Sequence, residues 1–217
     1  MLTNSQVQDI ARKYTNSTNE IEGFVILWKF LNENLDFFGW RGKYKPNLTE
    51  VKGTSELAEK YFTSKFTKVS PSIPQTVPDE MVSVILKNFY KHPSEKLNHI
   101  KVEHQHSMAA ENMVGELLER YIDSILSNHG WVWCCAALVK HVDFIKFENN
   151  EYRLLQIKNR DNSENSSSKA IRDGTTIEHW FRTFSRTGRT NWDSFPDTQL
   201  KSKLSEDGFI KFVENYN

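Results

Sequence analysis

The chain has 217 residues, 38% hydrophobic and 26% charged, with 28 basic and 28 acidic residues and a formal net charge of zero. That composition supports a sizeable globular core and excludes a disordered chain. No apolar run approaches the ~20 residues of a membrane span, and MLTNSQVQDIARKY lacks a signal-peptide layout, so a cytoplasmic protein without membrane partners is expected.

The first half reads as helical. Asn4 or Ser5 is the expected cap of a helix through Tyr14. Phe24, Leu27, Trp28, Leu31 and Leu35 repeat at helical spacing over 20–35, and Asn47-Leu48-Thr49 marks the start of a helix toward Phe62. Pro71, Pro74 and Pro78 punctuate a connector, after which Asp79 starts a short helix to about Tyr90. Residues 1–106 are expected to form a mostly helical N-terminal subdomain. Residues 107–217 are expected to form an α/β core, a mixed central sheet flanked by helices.

That second half opens with Ser107 as the expected cap of the strongest helix. Val114, Leu117, Leu118, Tyr121, Ile122, Ile125 and Leu126 form its stripe and Gly130 its stop. Three strands are expected next: WVWCCAALV at 131–139, VDFIKF at 142–147 and YRLLQIK at 152–158, with Asn149-Asn150 as a hairpin turn. Thr175 and Glu178 fit a capping box before a last helix, IEHWFRTF. Cys134 and Cys135 are adjacent, which suits neither a disulfide nor a zinc site, and are expected to be reduced core residues. His99, His104 and His106 lack matching ligand spacing and read as surface residues. Trp28, Trp40, Trp131 and Trp133 read as packing, while Trp180 is open to either packing or stacking.

The chemistry concentrates in the hairpin. Residues two apart on a strand share a face, so Gln156 and Lys158 lie together while Leu155 and Ile157 take the other side. Asp143, between Val142 and Phe144, is a carboxylate in an apolar strand and needs a cation or donor. Asp143, Gln156 and the Ile157 carbonyl offer hard oxygen ligands for Mg²⁺, which binds few protein groups and keeps water. Lys158 is placed to orient a water and to offset charge on a phosphorane. Glu119, at the edge of the long helix's stripe, is a further candidate ligand. Each residue alone also has an ordinary reading as a solvated strand lysine, a strand-end acid or a surface glutamate.

Asp143 followed by Gln156-Ile157-Lys158 resembles the D…(E/Q)-x-K signature of PD-(D/E)XK nucleases. Val142 stands where the proline would be, and Gln156 replaces the commoner Glu, as in Mrr-like members. LERYIDSILSNHGW is similar to the leading helix of that group, with Glu119 eleven residues before Gly130. This resemblance covers about residues 107–185. LLQIKNRDNSENSSSKAIRDGTTIEHWFR resembles the SinI-type restriction endonucleases. The resemblance implies a restriction-endonuclease-like core, Mg²⁺-dependent hydrolysis leaving 5′-phosphate ends, and double-strand cleavage at GG(A/T)CC.

Between Arg153 and Arg189 eight basic residues face four acidic ones, a local bias that suits DNA on one face. Asn159, Arg160, Asn162, Asn165 and Arg172 are candidates for reading base edges. Ser166, Ser167, Ser168 and Lys169 are candidates for holding phosphates, and Arg182 and Arg186 are candidates for the DNA face or simply a solvated helix end. A type II restriction enzyme acting on double-stranded DNA as a homodimer is the leading reading, with the N-terminal helices supplying dimer contacts or flanking DNA. A modification-dependent or repair nuclease of the same core, and a non-catalytic DNA-binding protein whose site decayed at Gln156, are the alternatives.

Overall fold

The first three helices are locked together by rings. The turn after α1 (Asn4–Ala11), α2 (Thr18–Glu33) and α3 (Val51–Phe66) bring Tyr14, Phe24, Tyr61 and Phe62 into one cluster, with Phe24 and Phe62 centroids 5.4 Å apart. The indole N–H of buried Trp28 donates to the Leu48 carbonyl at 2.9 Å, anchoring the loop before α3. The coordinates are a computed structural model, which describes residues 2–73, 75–161 and 176–216. By its contacts the chain divides into two compact units, residues 1–67 with 118–217, and residues 68–117.

The larger unit holds a four-stranded mixed sheet in the order β1 (Trp131–Trp133), β2 (Phe144–Glu148), β3 (Glu151–Arg160), β4 (Ile177–Thr183). β1–β2 and β2–β3 pair antiparallel and β3–β4 pair parallel. The mixed α/β class is therefore as the sequence implied. Val132 lies 3.5 Å from the position a Cβ would take on Gly23 of α2, while its neighbour Trp133 turns to the opposite side of the strand. The sheet is thus covered on both faces, as a strand buried at all three positions requires. Asn149 and Asn150 both have positive φ, 52° and 63°, the conformation of a two-residue type I′ hairpin turn. Gly130, at φ 80°, closes the preceding helical segment in the left-handed conformation. Cys134 and Cys135 are buried free thiols.

Several expectations are corrected here. The α1 cap is Thr3, in a reciprocal box with Gln6, rather than Asn4 or Ser5. Ser107 caps nothing: α5 runs unbroken over Leu97–Leu126, because no Pro or Gly interrupts it between Pro93 and Gly115. The run 131–139 stops being a strand at Trp133, and Ala136 and Ala137 take positive φ, which no strand accommodates. IEHWFRT is β4, not a helix. Its buried residues Ile177, Trp180 and Thr183 recur every third position, which imitates a helical stripe, but pairing along β3 decides its conformation. The capping partner Thr175 lies outside the described residues. Trp180 is core, 5.0 Å from Trp192.

In the smaller unit Asp79 caps α4 (Glu80–Asn88) by accepting from Met81 N–H at 2.9 Å, as expected. His99, His104 and His106 are exposed on α5. In the larger unit α6 (Glu206–Glu214) sets Phe209 against Tyr121. Among the described residues no helix is long and apolar enough to cross a membrane.

Candidate active site

Asp143 is tied at two points to the strand that carries Gln156 and Lys158. Its N–H donates to the Leu155 carbonyl at 2.9 Å, and its Oδ2 accepts from the Ile157 N–H at 2.6 Å. Leu155 also stands opposite Phe144 in the β2–β3 register, so two consecutive residues meet one partner. A bulge of this kind re-aims a side chain, here a carboxylate at the start of β2.

Burial pushes the Asp143 carboxyl from its ordinary 3.8 up to about 6, with the Ile157 N–H and the charge of Lys158 pulling the other way. Among the described residues no ion pair reaches Asp143. The carboxylate therefore lacks a counter-charge in contact, the deficit a divalent cation would fill.

On β3, Leu155 and Ile157 are buried, while Gln156 and Lys158 are half-buried on the alternate face beyond buried Leu154. The Ile157 carbonyl shares the strand edge of its N–H, the edge facing Asp143. Gln156 has a neighbour that sequence reasoning missed. His179 of β4 stands opposite it in the register, and its Nδ1 lies 3.0 Å from Gln156 Oε1. Reading IEHWFRT as a strand would have found it.

Glu119 projects from α5, where its Oε2 accepts the indole N–H of Trp133 at 2.8 Å. The sequence marks Trp133 as packing. It is buried packing that also holds an acid, with Arg120 and Lys65 cations 5.0 and 5.8 Å from its ring. Cys134 links this acid to the hairpin. Its N–H donates to the Asp143 carbonyl at 2.8 Å, and its thiol pKa is driven well up by burial and then by the charges of Asp143, Cys135 and Glu119.

The pattern of the SinI restriction endonuclease family matches residues 7–217. The chain belongs to that family. The type II restriction enzyme SinI of Salmonella infantis is 49% identical over 210 residues, covering 94% of this chain and 91% of that enzyme. The type II restriction enzyme Eco47I of Escherichia coli is 52% identical over 162 residues, 74% of this chain and 70% of that enzyme. This SinI-family chain is thus a restriction endonuclease, as the resemblance implied.

The described residues of this SinI-family chain contain no cluster of three His, Cys, Asp or Glu side chains suited to a metal. An oxygen set of Asp143, the Gln156 amide and the Ile157 carbonyl falls outside such a cluster. It fits a hard divalent ion that keeps most of its water.

Of the residues expected to touch DNA, Asn159 Oδ1 accepts from Arg182 Nε at 2.9 Å, and Arg182 also pairs with Glu206. Arg153 pairs with Glu178 at 2.9 Å and Glu148 at 3.1 Å. Part of the local basic bias is thereby neutralised within the protein. Arg160 and Arg186 are exposed. Asn162, Asn165, Ser166, Ser167, Ser168, Lys169 and Arg172 lie outside the described residues.

Proposed function

We propose that this SinI-family enzyme is a Mg²⁺-dependent, site-specific deoxyribonuclease that cuts both strands of DNA, at GG(A/T)CC, as a cytoplasmic homodimer. The observation that carries the proposal is the hydrogen bond from Ile157 N–H to Asp143, which fixes the acid beside the Gln156-Ile157-Lys158 strand. Asp143, Gln156 and the Ile157 carbonyl would hold the ion, with Glu119 reaching it directly or through water. When bound, the ion would supply Lewis-acid stabilisation at the scissile phosphate.

The rest of the chemistry falls to the chain. Lys158 orients a water for in-line attack on phosphorus and its positive charge offsets the charge that builds on the phosphoryl oxygens. Asp143, its uncharged form favoured by burial, presents a full carboxylate above about pH 6, so cleavage should rise through that range. His179 holds the Gln156 amide in place. Loss of the 3′-oxygen as the leaving group leaves 3′-hydroxyl and 5′-phosphate ends. Asn159, Arg160, Arg182 and Arg186, with Asn162, Asn165, Ser167, Lys169 and Arg172, are proposed for the DNA face.

A plasmid digest tests the proposal. Wild type with Mg²⁺ should give discrete fragments whose sequenced ends read GG(A/T)CC. Lys158→Ala should lower the rate about 10³-fold, ~4 kcal/mol of barrier, with DNA binding retained. Undiminished cleavage in excess chelator, or 3′-phosphate ends, would refute the mechanism.

A further inference from the structure

The connection between β1 and β2, residues 134–142, lies at the end of the sheet that carries Asp143. Cys134 N–H donates to the Asp143 carbonyl and Asp143 N–H to that of Leu155, so the connection leaves and re-enters the sheet beside the candidate site. A segment from the helical half of the chain is stitched to it. Gly39 N–H donates to the Leu138 carbonyl at 2.8 Å, Lys140 N–H donates to the Phe37 carbonyl at 2.8 Å, and Phe38 bridges Val139. A Cβ on Gly39 would collide with the Ala137 carbonyl oxygen, so glycine is what lets the two backbones touch. The carbonyls of the 3₁₀ turn Leu35–Phe37 then draw in a lysine from each segment. Lys45 Nζ donates to the Leu35 carbonyl at 3.1 Å and Lys140 Nζ to the Asp36 carbonyl at 2.9 Å.

Positive charge collects on this stitched pair. Residues 37–49 carry Arg41, Lys43 and Lys45 and no acid, and residues 134–142 carry Lys140 and His141 and no acid. All five side chains are exposed. Among the described residues none of the four lysines and arginines forms an ion pair, whereas Arg153 and Arg182 are both taken up by glutamates. The acids nearest in the fold are Asp36 and, on α3, Glu56 and Glu59, which line a cavity with Trp40 and Lys60. Lys60 Nζ sits 4.3 Å from the Trp40 ring, and burial, then the charge of Arg41, lowers its pKa from the ordinary 10.5. Like charges held together on a pinned loop are the electrostatic footprint of a bound anion.

We propose that residues 40–45, held against the 134–142 connection, clamp the DNA backbone, with Arg41, Lys43 and Lys140 on phosphates that flank the one being cut. The inference rests on the reading that DNA is cut at the Asp143 end of the sheet. A duplex lying there passes the stitched segments, and its phosphates are the anion that the position supplies. Lys140 spends one of its three donors on Asp36 and keeps two. Tyr44, 76% exposed between Lys43 and Lys45, adds a hydroxyl donor. Contacts to phosphate position the duplex and carry no base information, so the clamp serves any sequence equally.

The test is duplex binding in EDTA across a salt series, with one short duplex containing GG(A/T)CC and one lacking it. Arg41→Gln with Lys43→Gln should weaken both duplexes by about 10-fold or more. It should also reduce the slope of log Kd against log salt by about 1.8, two phosphate contacts' worth. Lys203→Gln, beside His129 at the far end of β1, should change neither. The exposed sites should leave the circular dichroism spectrum as it is. Replacing single phosphates by uncharged methylphosphonates should locate a position that weakens wild type and not the double variant. Wild-type affinity and slope in the double variant, a loss confined to the duplex with the site, or no such phosphate overturns the clamp. If the double variant loses binding as expected but Lys158→Ala still cuts, the catalytic reading fails and the clamp stands. If Lys158→Ala stops cutting while the double variant binds as wild type does, the clamp fails and the catalytic reading stands.

Discussion

Replacing Asp143 by Asn should stabilise the metal-free protein while abolishing cleavage. Burial raises the folded carboxyl from 3.8 to about 6, a displacement worth about 3 kcal/mol against folding once the group is ionised. The side chain is half-buried rather than sealed, so solvent screening reduces the usable figure to about 1.5–3 kcal/mol. Asn keeps an oxygen for the Ile157 N–H and carries no charge. The sign follows from linkage. A carboxyl whose folded pKa is raised favours the folded state only when protonated, and that advantage is lost as pH rises from about 4 to 6. Unfolding of wild type and Asp143→Asn in chelator should therefore show little difference at pH 4. At pH 8 the variant should melt about 3–10 °C higher. Added Mg²⁺ should then raise the melting temperature of wild type and not of the variant. No gain at pH 8, or an equal gain at both pH values, would refute the account of a buried, uncompensated carboxylate.

Trp133→Phe removes the indole donor from Glu119 while keeping a ring. It should cost about 2 kcal/mol in urea unfolding, and slow cleavage more than it weakens DNA binding, since Glu119 loses its orientation. Lys65, 6% exposed, pairs with Asp123 at 2.7 Å and Glu20 at 3.4 Å, which keep it protonated despite burial. Lys65→Met leaves Asp123, whose Oδ1 already lacks a partner, without its cation. Calorimetry should show a loss of about 3–5 kcal/mol.

The legible parts of the fold were those where one local signal acted alone. The hairpin follows from two-residue alternation and an Asn-Asn pair tolerant of positive φ, and Asp143, Gln156 and Lys158 came with it. Elsewhere a local signal competed with a longer-range one. Ser107 has the right chemistry for a cap, but the residues before it are equally content in a helix. Thr175 and Glu178 read as a capping box, yet Glu178 is a strand residue paired with Arg153. His179 was invisible for the same reason, because its partner is set by register across the sheet rather than by neighbours in sequence. Trp133's second role depends on where α5 lies.

The docking of Asp143 onto the strand it serves has a consequence for how the family can vary. Acid and lysine belong to one hairpin with a two-residue turn, so the chain between them acts as a ruler. A single residue gained or lost there would carry Gln156 and Lys158 through the sheet to the side held by Leu155 and Ile157. Exchanges of residue type keep this register, whereas a change of length by one keeps it only where a bulge, like the one at Asp143, takes up the extra residue.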